Sequence, residues 1–234
     1  MQAIILAGGK GTRLKPFTNN FPKPLVPIDD LPILEIVLRQ LKSHGITKIT
    51  LAVNHLASLI EAFFGDGERL GLDISYSFED QPLGTAGPIS LITELDDDFL
   101  IMNGDLLSTI NYRKLIDFHH TNKCDITIST FKREEKIDLG VIESSGDSFV
   151  NYVEKPTYYF DVSMGIYVVN KSIIDLIPKN VRFDIPDLVM KAKKHEKTIK
   201  CFSDECYWLD IGRADDYEIA NNIFREKRNL FLPK

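Results

Sequence analysis

Three glycines, an arginine and a lysine crowd the start of the chain: Gly8, Gly9, Gly11, Arg13 and Lys23. They follow the apolar run Gln2-Ala3-Ile4-Ile5-Leu6. A buried strand therefore opens directly onto a loop whose backbone is bare enough for close ligand approach. Successive backbone N–H groups in such a loop, from Leu6 and Ala7 through Thr12, make an anion cradle. The fixed positive charges of Arg13 and Lys23 beside it suit a polyphosphate better than an uncharged metabolite. The simplest chemistry for this segment is binding a nucleoside triphosphate.

Two commoner glycine loops fail on specifics. A dinucleotide loop needs G-x-G-x-x-G, and Leu14 stands where its third glycine would pack helix on strand. The acidic residue expected after the next strand is also missing, since Leu51-Ala52-Val53 leads into Asn54-His55. The Walker A spacing G-x-x-x-x-G-K-[ST] does not occur.

Alternating strand and helix patterns must hold this loop. Apolar periodicity predicts strands over 2–6, 48–53, 74–78, 99–102 and 125–130, and helices over 31–43, 57–64, 84–92 and 112–122. That βαβα order implies a three-layer α/β fold, Rossmann-like, around a mixed but mostly parallel sheet. Beyond about residue 131 the strands shorten (140–143, 149–154, 164–169, 198–202), and an amphipathic helix over 214–228 follows. No linker rich in Pro, Gly or Ser divides the sequence, so one domain over 1–234 is expected. Its glycine-loop half would run to about 130, with an inserted region on the same sheet after it. Ligands of open α/β sheets bind beyond the carboxyl ends of the strands, where both the glycine loop and Asn103-Gly104-Asp105 fall.

Composition narrows the partners. Lys and Arg total 28 against 34 Asp and Glu, a formal charge of −6 that suits nucleic-acid polymers poorly. Cys124, Cys201 and Cys206 are odd in number and lack zinc-pair spacing. No leader pattern and no apolar run of membrane-span length occurs, so a cytoplasmic protein without membrane contact is the expectation.

Six segments in order resemble the nucleotide-sugar pyrophosphorylases, or sugar-1-phosphate nucleotidylyltransferases. They are Gly8-Gly9-Lys10-Gly11-Thr12-Arg13-Leu14 with Pro22-Lys23-Pro24-Leu25, then Glu79 to Ala86, Asn103-Gly104-Asp105, Glu154-Lys155-Pro156, Met164-Gly165-Ile166-Tyr167 and Trp208 to Gly212. The resemblance spans nearly the whole chain and implies the nucleotide-diphospho-sugar transferase fold. It also implies attack of a sugar 1-phosphate on the α-phosphate of a nucleoside triphosphate, with pyrophosphate leaving. Arg13 would hold the β- and γ-phosphates, and Lys23 would reach the α-phosphate or the sugar phosphate. Asp105 and Asp210 would be ligands of Mg2+, which takes one or two carboxylates plus phosphates and water.

On the nucleotide side, Leu6 to Thr12 would cradle phosphate. Gly84 would admit a planar base, with Gln81 or Thr85 on its edge. The Pro82-Leu83-Gly84-Thr85-Ala86 spelling is closest to guanylyl- and uridylyltransferases, with guanine the first choice. On the sugar side, Asn103, Gly140, Glu154, Lys155, Ser163 and Gly165 match positions that contact the sugar or its phosphate. Ser163-Met164 replaces the commoner Asn-Ala, so mannose and heptose 1-phosphates both stay open. The same reaction with UTP, CTP or dTTP and a glucose-type sugar, or a silent regulatory subunit, are the alternatives. Only about twenty residues follow Gly212, so no β-helix domain is expected. A homo-oligomer stays open. Asp96-Asp97-Asp98 and 132–136 are expected as solvated turn and loop, and His119-His120 as an exposed pair.

Overall fold

The computed structural model describes residues 1–15 and 18–232. In chain order its strands are β1 (Gln2–Leu6), β2 (Pro27–Ile28), β3 (Leu31–Pro32), β4 (Lys48–Val53), β5 (Asp73–Phe78), β6 (Asp98–Asn103) and β7 (Leu106–Ser108). They continue as β8 (Ile126–Lys136), β9 (Gly140–Ser145), β10 (Ser148–Glu154), β11 (Thr157–Asn170), β12 (Ile199–Ser203) and β13 (Trp208–Asp210). The helices are α1 (Ile33–Ser43), α2 (Ala57–Phe64), α3 (Tyr112–Thr121), α4 (Ile185–Lys194) and α5 (Ala214–Phe231).

One seven-stranded sheet carries the fold, in the order β12-β8-β11-β6-β1-β4-β5. Strands β5, β4, β1 and β6 run parallel, and β11 alone is antiparallel to its neighbours β6 and β8. The sheet is thus mixed and mostly parallel, as the βαβα order implies. Its central strands are apolar at nearly every position because both faces are covered. Ala3, Ile5, Ile49, Leu51, Leu100 and Met102 face the side packed by α1, α2 and α3. Ile4, Phe99 and Ile101 face the other, against Ile185, Leu188 and Ala192 of α4. A third cluster lies beyond the sheet, where Phe224 and Phe231 of α5 bury Leu14, Val26, Ile28, Ile33 and Leu107.

Several expectations need correction. Residues 84–92 form only a short 3-10 turn, Gly87–Leu91, with Pro88 near its start; two glycines and a missing N–H donor in so short a run oppose a full α-helix. Residues 132–136 are the outer end of β8, paired residue by residue with 157–161 of β11. Backbone pairing holds them although their side chains are charged and exposed. Strands β9 and β10 form their own two-stranded hairpin sheet rather than joining the main one. His119 is buried, its Nδ1 2.8 Å from Thr127 Oγ1 and its Nε2 facing Asp98, while His120 is exposed. Asp96, Asp97 and Asp98 fasten the amino end of β6 by pairing with the chain amino group, Lys171 and the histidines.

Candidate active site

Four parallel strands deliver the site. Their carboxyl ends release, in turn, the glycine loop after β1, Asn54 after β4, Glu79 after β5 and Gly104-Asp105 after β6. The loop is pinned at its base: Ala7 N–H donates to Ala52 O at 2.8 Å, and Gly104 N–H to Leu6 O at 3.0 Å. Gly11 takes φ +59°, and a Cβ there would fall 2.9 Å from the Thr18 methyl and 3.0 Å from Lys23 Cβ. Only glycine fits that bend comfortably. Its carbonyl accepts both the Thr18 hydroxyl at 2.7 Å and the Leu14 N–H at 2.9 Å, starting the 3-10 turn Thr12–Leu14. Leu14 is buried under α5, which leaves Arg13 and Thr12 pointing outward.

A small ribbon brings the two candidate metal carboxylates together. Strand β13 pairs antiparallel with β7, setting Asp210 opposite Leu106, and Ile211 N–H donates to Asp105 O at 3.2 Å. Lys23, buried on the 3-10 turn Lys23–Leu25, forms an ion pair with Asp105 Oδ2. Among the described residues, Asp105 Oδ1 is buried without a partner. Burial raises the Asp210 carboxyl above the usual carboxylate range; the nearby Asp105 charge adds to that, and Lys23 and Arg13 oppose it. The Arg13 guanidinium lies over Gly212, where a Cβ would be 3.6 Å from its Cζ. Two repelling carboxylates, one with an orphaned oxygen, suit a hard divalent cation. Among the described residues no three His, Cys, Asp or Glu form such a group, so the remaining ligands would be phosphate and water.

Beside this cluster is a cavity of about 400 Å3. Its lining joins Lys23, Asn103 and Asp105 to Glu79, Gly84 and Thr85, and includes Arg182 and Asp184. Gly84 is required by its neighbours: at φ +83° a Cβ would meet Asp184 Oδ1 at 2.6 Å and Phe183 O at 2.7 Å. The Thr85 hydroxyl is committed, donating to Asp184 Oδ1 at 3.2 Å and accepting the Ile185 N–H at 2.9 Å, so it ties this loop to α4. Gln81 is exposed and does not line the cavity. Glu79 belongs to the 79–87 segment that the sequence assigns to the base, without a role of its own there, whereas Arg182 and Asp184 lie outside every motif. For Glu79 the signal was present, since it is the first residue after β5.

Arg13 and Asp210 line an adjoining cavity of about 410 Å3 with Phe131, Arg133 and Trp208. Of the sugar-side candidates, Asn103 and Gly165 meet: a Cβ on Gly165, at φ +72°, would lie 2.6 Å from Asn103 Nδ2. Ser163 sits at the β11 bulge, its hydroxyl 2.8 Å from the Tyr167 OH. Gly140, Glu154 and Lys155 lie at the open end of the β9–β10 hairpin, where Gly140 pairs with Glu154 and Glu154 Oε2 accepts the Tyr152 hydroxyl at 3.1 Å. None of these three lines either cavity.

Comparison with known proteins shows the family of the chain. The model of the nucleotidyl transferase family matches residues 2–227. The chain is 33% identical, over its whole length, to a UTP–glucose-1-phosphate uridylyltransferase of Synechocystis sp., and spans 66% of that protein. It is 34% identical over 93% of its length to a mannose-1-phosphate guanylyltransferase of Mycobacterium tuberculosis, and spans 62% of it. The crystal structure of HddC from Yersinia pseudotuberculosis superposes with a TM-score of 0.76 at 28% identity, covering 95% of this chain and 99% of that one. HddC has also been solved complexed with GMP-PN, with a TM-score of 0.73. No described helix is long and apolar enough to cross a membrane. With a family match across nearly its whole length and a site at the switch end of the sheet, the chain belongs to the nucleotidyl transferase family.

Proposed function

We propose that the chain transfers GMP from GTP to a sugar 1-phosphate of mannose or heptose type, releasing pyrophosphate and forming a GDP-sugar. The observation that carries this reading is the convergence of Asp105, Asp210, Lys23 and Arg13 beside the glycine loop. Two polyanions must meet for the reaction, so neutralisation and in-line positioning dominate its barrier.

The glycine loop, with Leu6, Ala7, Gly8, Gly9, Gly11 and Thr12, cradles the phosphates through backbone N–H groups. Arg13 compensates charge on the departing pyrophosphate. Lys23 turns from Asp105 toward the α-phosphate, which receives an oxygen of the sugar phosphate while its bond to the β-phosphate oxygen breaks. Mg2+ held by Asp105 and Asp210 would supply further charge neutralisation and orient the phosphate oxygens. Asn103 and Gly165 shape the wall nearest the sugar. Glu154 and Lys155, at the open end of the β9–β10 hairpin, would accept sugar hydroxyls and pair with the sugar phosphate. Gln81 is exposed and does not line the cavity, so no base contact is assigned to it.

The relatives' names support two base assignments, guanylyl and uridylyl. Guanine is preferred because guanylyltransferases recur among the relatives and HddC has been solved complexed with GMP-PN. The test is magnesium-dependent pyrophosphate release over a grid of four nucleoside triphosphates and several sugar 1-phosphates. Release with GTP and mannose or heptose 1-phosphate, lost in Asp105→Asn, is the expected result. Release with UTP and glucose 1-phosphate alone would replace the reading with the uridylyl one.

A further inference from the structure

The ribbon made by β8 and β11 does not end at Lys136. Ile137 N–H donates to Pro156 O at 3.0 Å and Lys155 N–H to Leu139 O at 3.3 Å, so the ribbon runs on into the β9–β10 hairpin. Together they form one two-stranded arm that turns back at Gly146. From its root at Phe131 to that turn the arm reaches about 50 Å if its strands are fully extended. No residue from Phe131 to Ser163 is buried, and none from 132 to 163 joins any of the three apolar clusters. An isolated two-stranded hairpin is only marginally stable in water; it needs further strands over an apolar face, or a helix packed on it. Among the described residues the arm has neither.

Its composition is nevertheless that of a covered surface. Nine of the eighteen large apolar side chains left exposed among the described residues lie between Ile137 and Phe160. At roughly half exposure such side chains show on the order of 100 Å2 each, so the arm presents on the order of 900 Å2 of apolar surface. A lone domain rarely shows a contiguous patch of more than a few hundred Å2, whereas about 800 Å2 is what each partner gives to an ordinary stable interface. The cross-strand register sets Ile142 opposite Tyr152 and Phe149 opposite Ser144, which places Ile142, Phe149 and Tyr152 on one face. They are 53%, 67% and 54% exposed. That face carries no charge between Ile142 and Tyr152, and the strand segment from Ser148 to Val153 is uncharged throughout. Strand β10 pairs with β9 alone, and an open edge of this kind is ordinarily blunted by charge or proline. A two-fold axis sets identical surfaces against each other, so any charge on such a face would meet its own like. An uncharged apolar face therefore suits a second copy of the same chain, and it gives a charged partner nothing to pair with.

We propose that the arm is the dimerisation element of this chain: two copies pack the faces bearing Ile142, Phe149 and Tyr152 together about a two-fold axis. Two arms then give four strands around a shared apolar interior. Phe131 and Arg133, at the root of the arm, line the same cavity as Arg13 and Asp210, so the contact also steadies one wall of that cavity. The inference is independent of which base or sugar the chain uses.

Sedimentation equilibrium of the intact chain, without ligands and over about 1–50 µM, tests it; interfaces of this size hold at micromolar concentration or below. The native chain should run at twice its own mass. Phe149→Lys and Ile142→Lys put a charge on opposite strands of the same face. Each should raise the dimer dissociation constant on the order of 100-fold, since every dimer carries the change twice. Both positions are more than half exposed, so the variants keep the native fold, which far-ultraviolet circular dichroism checks. Met190→Lys, at a comparably exposed apolar position on α4, should leave the mass at two chains. A monomeric native chain overturns the inference and leaves the face to a different protein or a further segment. A native dimer that persists in both arm variants overturns it, as does one that Met190→Lys dissociates equally. Native species that grow beyond two chains with concentration also overturn it, because they show a contact that does not close.

Discussion

Lys23 and Asp105, 82 residues apart in sequence, form an ion pair at the centre of the site, with both side chains mostly buried. The pair occupies one oxygen of the carboxylate that the proposed reaction would assign to a metal. Asp105 Oδ1 stays orphaned because the Lys23 ammonium approaches from the other side. The lysine therefore compensates the Asp105 charge until a cation and a phosphate arrive to divide the two.

Lys23→Met separates these roles. Without the ammonium, Asp105 and Asp210 repel each other with less opposition, and a divalent cation becomes the available counter-charge. Binding of Mn2+ to the nucleotide-free variant, read by its paramagnetic effect on water relaxation, should tighten by about tenfold. Turnover should fall by on the order of 100- to 1,000-fold, the usual loss of one charged group facing the transferred phosphate. Weaker Mn2+ binding would mean that Lys23 supports the metal site rather than competing with it.

Gly165→Ala tests the wall between strand β11 and Asn103. The residue has φ +72°, and its new methyl would sit 2.6 Å from Asn103 Nδ2, with Leu106 Cδ1 at 3.6 Å. Backbone strain and overlap act together, so the melting transition should record a loss of about 1–3 kcal/mol. Because Asn103 terminates β6 just before Asp105, KM for the sugar 1-phosphate should rise more than KM for the nucleotide. Equal rises would place the displaced amide outside the sugar side.

Much of this architecture can be read from local pattern, and the remainder depends on contacts that pattern does not encode. The 48–53 strand and the 57–64 helix match β4 and α2 residue for residue, because an apolar run and a helical stripe each fill their element. Helix α4 is poorly legible in the sequence although Ile185, Leu188 and Ala192 lie on one helical face behind Asp184 at the N-cap position; Pro186 and the surrounding charge mask its pattern. The β7–β13 ribbon has three residues per strand, too few for any period, yet with the Ile211 N–H bond to Asp105 O it sets Asp210 beside Asp105. Motif spelling likewise groups Glu154 and Lys155 with the site. Their position on a separate hairpin follows from the β9–β10 pairing, a long-range property.

His119 gives the fold an acid sensitivity remote from the chemistry. Its ring is buried at the amino end of β6, facing Asp98, His120 and Asp125. Burial lowers its pKa below the ordinary 6.5, and Asp98 opposes the shift only in part. The unfolded chain therefore takes up a proton that the folded chain refuses, and stability is lost as pH falls from about 6.5 toward the folded pKa. In His119→Gln the melting temperature between pH 7.5 and 5 should vary less steeply than in the native chain. An unchanged slope would assign the acid sensitivity to other groups.

Phe224→Ala would show how firmly α5 holds the phosphate loop. Phe224 is fully buried against Phe231, and the same cluster encloses Leu14, the residue after Arg13, and Ile211, the residue after Asp210. Removing the ring from such a site costs about 3–5 kcal/mol, through lost burial and the cavity left behind. The cavity would lie beneath both Leu14 and Ile211, so relaxation into it shifts Arg13 and Asp210 together. Pyrophosphate affinity should then drop along with stability, whereas Phe99→Leu, on the opposite face of the sheet, should lower stability alone. Isothermal titration with pyrophosphate and magnesium, run well below both melting temperatures, separates the cases. Equal affinity in the two variants would mean that the glycine loop keeps its geometry without α5.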